Sequence, residues 1–512
     1  MNLKTQILSL FLFLCLNLNA TMYFVAPNGS NSGTGSAVYP WRTLEYACTR
    51  TVSGDVIFIR SGTHNGMGSI SRLPSGVSVE GDGETSVLVE TTILLEGGIG
   101  NQHITNVKFD GNNKDVFTAI IIDNRHDVIL SNCKFVNFKT GNRFYADIAY
   151  EYAIELRHSY NIEISNNIIE AGIRSFYDNR NLNIHHNLIG KSSISLEPEV
   201  GIYLCDVDNI RIWNNKFKNL ATFIEVSAYG ITKVKDVYIY CNLMTTAGIS
   251  DITTWGYGSG IRFGGLTTGT VRNINVMNNT IVGNPGNRYT MIGIWLPTLG
   301  DGTIINIVNN IIHGFQYASI FAAGPDPRMD SVYIENNILF MNAITGRSYA
   351  PNNLPYFTNV PLPLILVQQN NIEEDPLFIG NNDFHLQNTS PGVSAGLYIP
   401  WIEFYHDDDT YFGTPNIGAY NGYPTIIIDP VVEDELIIYP IPATDNISIM
   451  IKDPKFQPNR LDIYDYNGKI LISQKIDTDF ISHLPINLKT GFYILKITNS
   501  RQNILIGKII VK

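Results

Sequence analysis

The sequence predicts an all-β protein in two parts, a long solenoid of short parallel strands and a small C-terminal β-sandwich. Three observations predict it: one phrase recurs along most of the chain, each copy closes on paired asparagines, and the residues after Leu436 abandon the phrase for hairpin-like strands. In the phrase, a strand reading Gly/Ala-Ile-x-apolar leads through a polar turn to x-Ile-x-Ile-x-Asn-Asn-x-Ile. It is clearest at Ala153 to Ile169, Gly201 to Phe217, Gly260 to Ile281 and Gly293 to Ile312. It returns every ~20 to 40 residues, the period of coil-like repeat proteins, so each copy reads as one turn. Within a copy Ile162 and Ile164 face one way and Glu163 and Ser165 the other, as a strand with one buried face requires.

The second asparagine of each pair, Asn167, Asn187, Asn215, Asn242, Asn279, Asn310 and Asn337, is placed to stack on its counterpart at the next turn. Asn tolerates a left-handed backbone better than other non-glycine residues, and stacked amides hydrogen-bond up a column. From about Val77 to Leu339 the pattern resembles the asparagine ladder of the right-handed, single-stranded parallel β-helix proteins, the pectate-lyase-like superfamily. The ladder speaks for fold and not for activity. The residue before it is usually Asn as well, with His186 and Cys241 as departures, and His186 reads as a ladder variant rather than a ligand or base.

Composition agrees with this reading. Of 512 residues 44% are hydrophobic and only 16% charged, and a formal net charge of -11 opposes steering toward nucleic acid or an anionic membrane surface. A β-helix grows as one unit, so this length does not by itself imply several domains.

Residues 1–20 read as a secretory signal: Lys4 precedes the apolar run Ile7 to Leu18, and Ala20 supplies a small residue for cleavage. The run is too short to cross a bilayer, so no membrane span is expected in the mature chain. Cys48, Cys133, Cys205 and Cys241 then remain, with neither CxxC nor metal-ligand spacing. Export permits disulfides, but sequence does not pair these cysteines. Cys133 falls at a ladder position. Residues 21–76 are expected to cap and start the coil, with strands at Tyr23 to Ala26 and Val56 to Ile59 and a short helix at Thr43 to Cys48 over the open end. This opening resembles that of many secreted β-helix polysaccharide lyases and glycosidases.

The repeats are expected over 77–345 and the closing turns over 346–422. There Asp375-Pro376-Leu377-Phe378, Asp383-Phe384-His385-Leu386 and Ile417-Gly418-Ala419-Tyr420 resemble the closing turn of the same relatives. Asp407-Asp408-Asp409 reads as a solvated turn, with binding of a hard cation such as Ca2+ as the alternative; no other cofactor is implied. Residues 423–435 are a Pro- and Val-rich linker. Residues 436–512 form a separate all-β domain, with strands at Leu461 to Tyr464, Ile470 to Ser473, Phe492 to Ile497 and Ile506 to Val511 and an Asn467-Gly468 turn. Tyr439-Pro440-Ile441-Pro442-Ala443, Gly491-Phe492-Tyr493 and the terminal Lys508-Ile509-Ile510-Val511-Lys512 resemble the C-terminal sorting domain of type IX secretion, with Ile441 where Asn is usual. The resemblance implies export through the periplasm to the outside of a Bacteroidetes-type bacterium, the type IX machinery as a partner, and no catalysis by this domain.

Function must then come from the coil wall. Aligning the first strand of every turn gives an outward column of Leu94, Ile121, Glu155, Arg174, Tyr203, Glu225, Arg262, Trp295 and Phe321. Two residues along runs a second, of Glu96, Asp123, Arg157, Phe176, Cys205, Ser227, Gly264, Pro297 and Ala323. With turns ~4.8 Å apart, the charged middle forms a strip roughly 20 Å long, room for several sugar residues. The longest insertions, Lys139 to Tyr152, Lys191 to Val200, Thr245 to Ser259 and Val282 to Ile292, precede the same strands and carry aromatic and Arg residues suited to sugars. Glu155, Arg174, Tyr203, Glu225 and Arg262 are therefore the candidate catalytic residues, and Trp295, Arg157, Asp123, Trp255 and Tyr257 the candidate substrate contacts. A plainer reading makes Glu155 with Arg174, and Glu225 with Arg262, cross-strand ion pairs worth only ~0.2 to 1 kcal/mol each.

Three functions fit such a strip. A polysaccharide lyase needs a cation to neutralise a uronate carboxylate, for which Arg174, Arg262 or Arg157 would serve, and a base, for which Tyr203 or an Arg would serve; no lyase motif is present. A glycosidase needs two carboxyls about 5 to 5.5 Å apart for retention or about 6.5 to 9.5 Å for inversion; Asp123 with Glu155 or Asp206 with Glu225 are candidates for the inverting range, whereas Glu155 and Glu225 are ~14 Å apart by strand spacing. A noncatalytic glycan-binding or adhesive protein needs only the strip itself.

Overall fold

The computed structural model describes residues 20–511 except 115–117, 139–151, 191–199, 230–232, 248–257, 267–269, 285–289, 297–302, 324–328, 343–354, 359–362, 364, 403, 407–413, 421–435, 440–442, 452–455, 465–469, 477, 479, 490 and 500–503. The chain divides into two units, Met1–Asp375 and Pro376–Lys512.

In the first unit three strands make a turn, as in Gly172–Phe176, Asn179–His185 and Leu188–Ile189. Each pairs in parallel with its counterparts one turn below and one turn above. Repetition of this unit builds a parallel β-helix with three sheets. Inside it, like stacks on like. Ile154, Ile173, Ile202, Ile224, Ile261, Ile294 and Ile320 are in register in the first sheet and fully buried. A β-branched side chain stiff at χ1 suits a pleated, one-sided surface, which is why Ile recurs at these positions.

The ladder forms and extends past the repeats. Nδ2 of Asn167 donates to Oδ1 of Asn187 at 3.0 Å, Asn187 to Asn215 at 3.0 Å, Asn215 to Asn242 at 3.1 Å and Asn242 to Asn279 at 3.0 Å. Asn279, Asn310 and Asn337 continue it up to Asn371. Cys133 holds the position at the lower end, where its N–H donates to Asn167 Oδ1 at 2.8 Å. One expectation is corrected: the left-handed residue is not the ladder asparagine but the one before it. Asn166, His186, Asn214, Cys241, Asn278, Asn309 and Asn336 have φ between 52° and 58°, and this conformation turns the chain so that the next side chain enters the coil. His186 is accordingly a corner residue, whose Nε2 accepts from Asn214 at 2.7 Å.

At the N-terminal end Met22–Val25 pairs in parallel with Val56–Ile59. The helix Leu44–Cys48 buries Leu44, Ala47 and Cys48, and Thr43 Oγ1 accepts the Tyr46 N–H at 3.3 Å as its N-cap. The four cysteines are buried and form no disulfide. Burial pushes the Cys48 and Cys133 thiols up to about 12, so they behave as inert packing groups.

The second unit contains a small antiparallel β-sandwich. One sheet consists of Leu436–Tyr439, Asn446–Ile451 and Phe480–Pro485, and the other of Ile470–Lys475, Pro458–Tyr464, Gly491–Asn499 and Ile504–Val511. Ile449 and Leu484 from the first join Leu461, Ile463, Leu495 and Ile497 from the second in one core. Sequence reading named strands only in the four-stranded sheet.

Candidate functional site on the first sheet

Ile121, Glu155, Arg174, Tyr203, Glu225, Arg262, Trp295 and Phe321 are successive register partners in the first sheet. The period of two fixes their direction: Ile154 and Leu156 go into the core, so Glu155 between them goes out. In the second column Glu96, Asp123, Arg157 and Phe176 are aligned, as are Cys205, Ser227 and Gly264. Pro297, Trp255, Tyr257 and Asp407 to Asp409 lie outside the described residues, as do most of the four insertions.

At one end of the strip the expected Glu155–Arg174 pair does not form. Glu155 instead accepts from Arg157 Nε at 2.7 Å, and Arg157 Nη1 lies 3.8 Å from Asp123 Oδ2. Side chains two apart on one strand share a face, which a long Arg spans easily. Arg174 has turned to a ring, its guanidinium carbon 3.9 Å from the centre of Phe176. Sequence reasoning missed His158, whose Nδ1 is 3.4 Å from Asp123 Oδ1 and whose ring stacks on Tyr177 at 5.4 Å. Both lie at a left-handed corner beyond the strand, where alternation carries no signal.

The middle of the strip is aromatic. Tyr203 stacks on Phe176 with ring centres 5.2 Å apart, and Tyr152 lies 6.4 Å from Tyr203. Tyr203, named as a possible base on the outward column, is a residue only 8% exposed. Neighbours on the same outer face cover it.

At the other end Glu225 and Arg262 do approach, with Nη1 4.0 Å from Oε2. Ser227 Oγ donates to the other carboxylate oxygen at 3.3 Å. The Arg262 guanidinium lies 5.1 Å from the Trp295 ring centre, and Trp295 meets Phe321 edge-on at 5.6 Å. Burial raises the Glu225 pKa above the ordinary carboxylate range, against smaller opposing effects of Arg262 and Ser227. A partly covered carboxyl whose pKa burial raises thus sits beside an accessible cation and an indole.

The carboxyls considered for hydrolysis are engaged by other groups. Asp206, at a left-handed corner just beyond its strand, accepts the backbone N–H groups of Lys233 and Asp178. Between Asp123 and Glu155, where an inverting enzyme would hold its water, stands the Arg157 guanidinium. No group of three or more His, Cys, Asp or Glu is placed to hold a metal among the described residues.

Residues 437–512 match the secretion system C-terminal sorting domain. The chain therefore carries a type IX sorting signal, has the secretion machinery as a partner and is delivered to the cell surface or secreted. Residues 27–198 match a family described as protein of unknown function, DUF1565. No curated protein matches the chain. Among solved structures it is similar to XylC in complex with xylose (11% identity, 78% of this chain and 98% of that one, TM-score 0.41). It is also similar to pectate lyase Pel9A (15%, 79% and 96%, TM-score 0.40) and to PfbA, a surface adhesin of Streptococcus pneumoniae (13%, 68% and 93%, TM-score 0.33). No helix among the described residues is long and apolar enough to cross a membrane.

Proposed function

We propose that this exported β-helix protein engages a polysaccharide along the first-sheet strip and cleaves a uronate-bearing chain by β-elimination at the Glu225–Arg262 end. The observation that carries the proposal is a carboxyl with a raised pKa one turn from an accessible guanidinium, in a single outward register. Arg262 pairs with the uronate carboxylate and stabilises the charge that develops when the adjacent C5 proton leaves. Glu225 takes that proton, a task suited to a carboxyl whose basicity burial has increased. The electron pair forms the C4–C5 double bond, the C4–O bond breaks, and the leaving oxygen takes a proton from solvent. Trp295 offers its face to the neighbouring sugar.

A second reading, noncatalytic glycan binding or adhesion, draws support from the middle of the strip. Arg174, Phe176 and Tyr203 are already ordered against one another, and a preordered strip binds well without reacting. Offering the secreted protein a panel of neutral and uronic-acid polysaccharides separates the readings. New absorbance at about 235 nm marks elimination, new reducing ends without it mark hydrolysis, and retention on a glycan without either marks binding alone.

A further inference from the structure

Away from the strip, a cleft of about 320 Å³ opens at the N-terminal end of the coil. One wall is the Leu44–Cys48 helix and its N-cap, and the other is the edge strand Gly62–Arg72. That strand bulges: its register breaks between Asn65 and Ser69, where Met67 and Gly68 have φ of 49° and 83°. A bulge re-aims side chains. Here His64 and Ser71, on either side of it, both line the cleft.

Two buried polar atoms in this lining have no hydrogen-bond partner among the described residues. They are His64 Nδ1 and Ser71 Oγ. The His64 side chain belongs to a residue 8% exposed, and Ser71 is fully buried. An unpartnered buried polar group costs about 1 to 3 kcal/mol, and two in one cleft mark a place built for something else to complete. His64 Nε2 lies 2.9 Å from the Arg60 carbonyl, which only accepts, so Nε2 carries the proton and Nδ1 presents a lone pair. Burial lowers the His64 pKa from its ordinary value, against a smaller opposing effect of the Arg60 carbonyl, and so favours the neutral ring.

We propose that this cleft is a second binding site, which takes a neutral saccharide, one sugar hydroxyl donating to His64 Nδ1 and another exchanging hydrogen bonds with Ser71 Oγ. An anionic group would face the His64 lone pair, with its nearest lining cation, Arg42, at the exposed rim. A cationic group would be buried without a carboxylate, because Glu45 is likewise exposed. Pro27, Leu44 and Leu88 supply apolar wall for the C–H face of a sugar, and the volume lies at the small end of ligand sites. The site is separate from the elimination chemistry proposed for the wall and stands or falls without it.

The test is ligand-observed NMR on the full chain with galactose, rhamnose and xylose, and with glucuronate as the charged comparison. At least one neutral sugar should show saturation transfer. Ser71→Ala, which removes an unpartnered hydroxyl and so leaves the fold intact, should weaken that binding about tenfold or more. Any glucuronate signal comes from the strip and should be the same in wild type and Ser71→Ala. The proposal is overturned if no neutral sugar binds, if Ser71→Ala binds the neutral sugar like wild type, or if Ser71→Ala weakens glucuronate binding equally.

Discussion

Glu225 and Arg262 are register partners on adjacent turns, and Arg262 holds its guanidinium between the Glu225 carboxylate at 4.0 Å and the Trp295 ring at 5.1 Å. A pair in such a position is a weak stabiliser, since half-exposed ion pairs contribute little. Its worth lies in placing a cation and a carboxyl one strand spacing apart on an outer wall.

Glu225 should set the acid limb of any elimination activity. Its pKa is raised by burial, and a base works only when deprotonated. Activity should therefore rise with pH through a value above the ordinary carboxylate range, and Glu225→Gln should lower turnover ~100-fold or more. The sign for stability is opposite. The folded state binds the proton more tightly than the unfolded one, so this group's contribution is full below the ordinary carboxylate range and is lost as pH rises through the raised value. A kcat/KM profile whose acid limb is the same in wild type and Glu225→Gln would exclude this role.

Arg262→Ala and Trp295→Ala should differ in kind. The first removes charge stabilisation and should depress kcat on a uronate polymer ~100-fold; the second should raise KM several-fold with kcat nearly kept, as loss of uniform binding does. Both should melt within a few degrees of wild type. Steady-state kinetics on an active polymer decide it, and wild-type parameters in both variants would move the site off this face.

Asn215→Leu should destabilise the coil by roughly 3 kcal/mol or more. The Asn215 amide donates to the carbonyls of Ile184 and Trp213 and to Asn242, and accepts from Asn187. Leucine satisfies none of these buried partners. The urea midpoint reports the loss, and an unchanged midpoint would contradict the ladder's contribution.

Deleting Leu436 to Lys512 should stop delivery to the outside of the cell, because residues 437–512 are the sorting domain. The β-helix should remain folded, since its core cluster contains no residue of that segment. Cell fractionation and circular dichroism of the truncated chain check the two halves, and normal export of the shortened protein would refute the first.

The coil and its outward column were legible in the sequence because both are set by local rules. Alternation at Ile162 and Ile164 gives facing, the asparagine pair ends each turn, and repetition stacks identical positions, so Glu155, Arg174, Tyr203, Glu225 and Arg262 align without knowledge of any distant contact. Alignment did not tell which groups would touch. Glu155 turned along its own strand to Arg157, Arg174 turned onto Phe176, and Tyr203 sank beneath its neighbours, outcomes that depend on side-chain reach, ring contacts and desolvation across turns. The same holds for the cleft at His64 and Ser71. A cleft is fixed by a bulge meeting a helix. It leaves no periodic mark, so sequence supplied the scaffold and its facing while tertiary packing alone decided the partners.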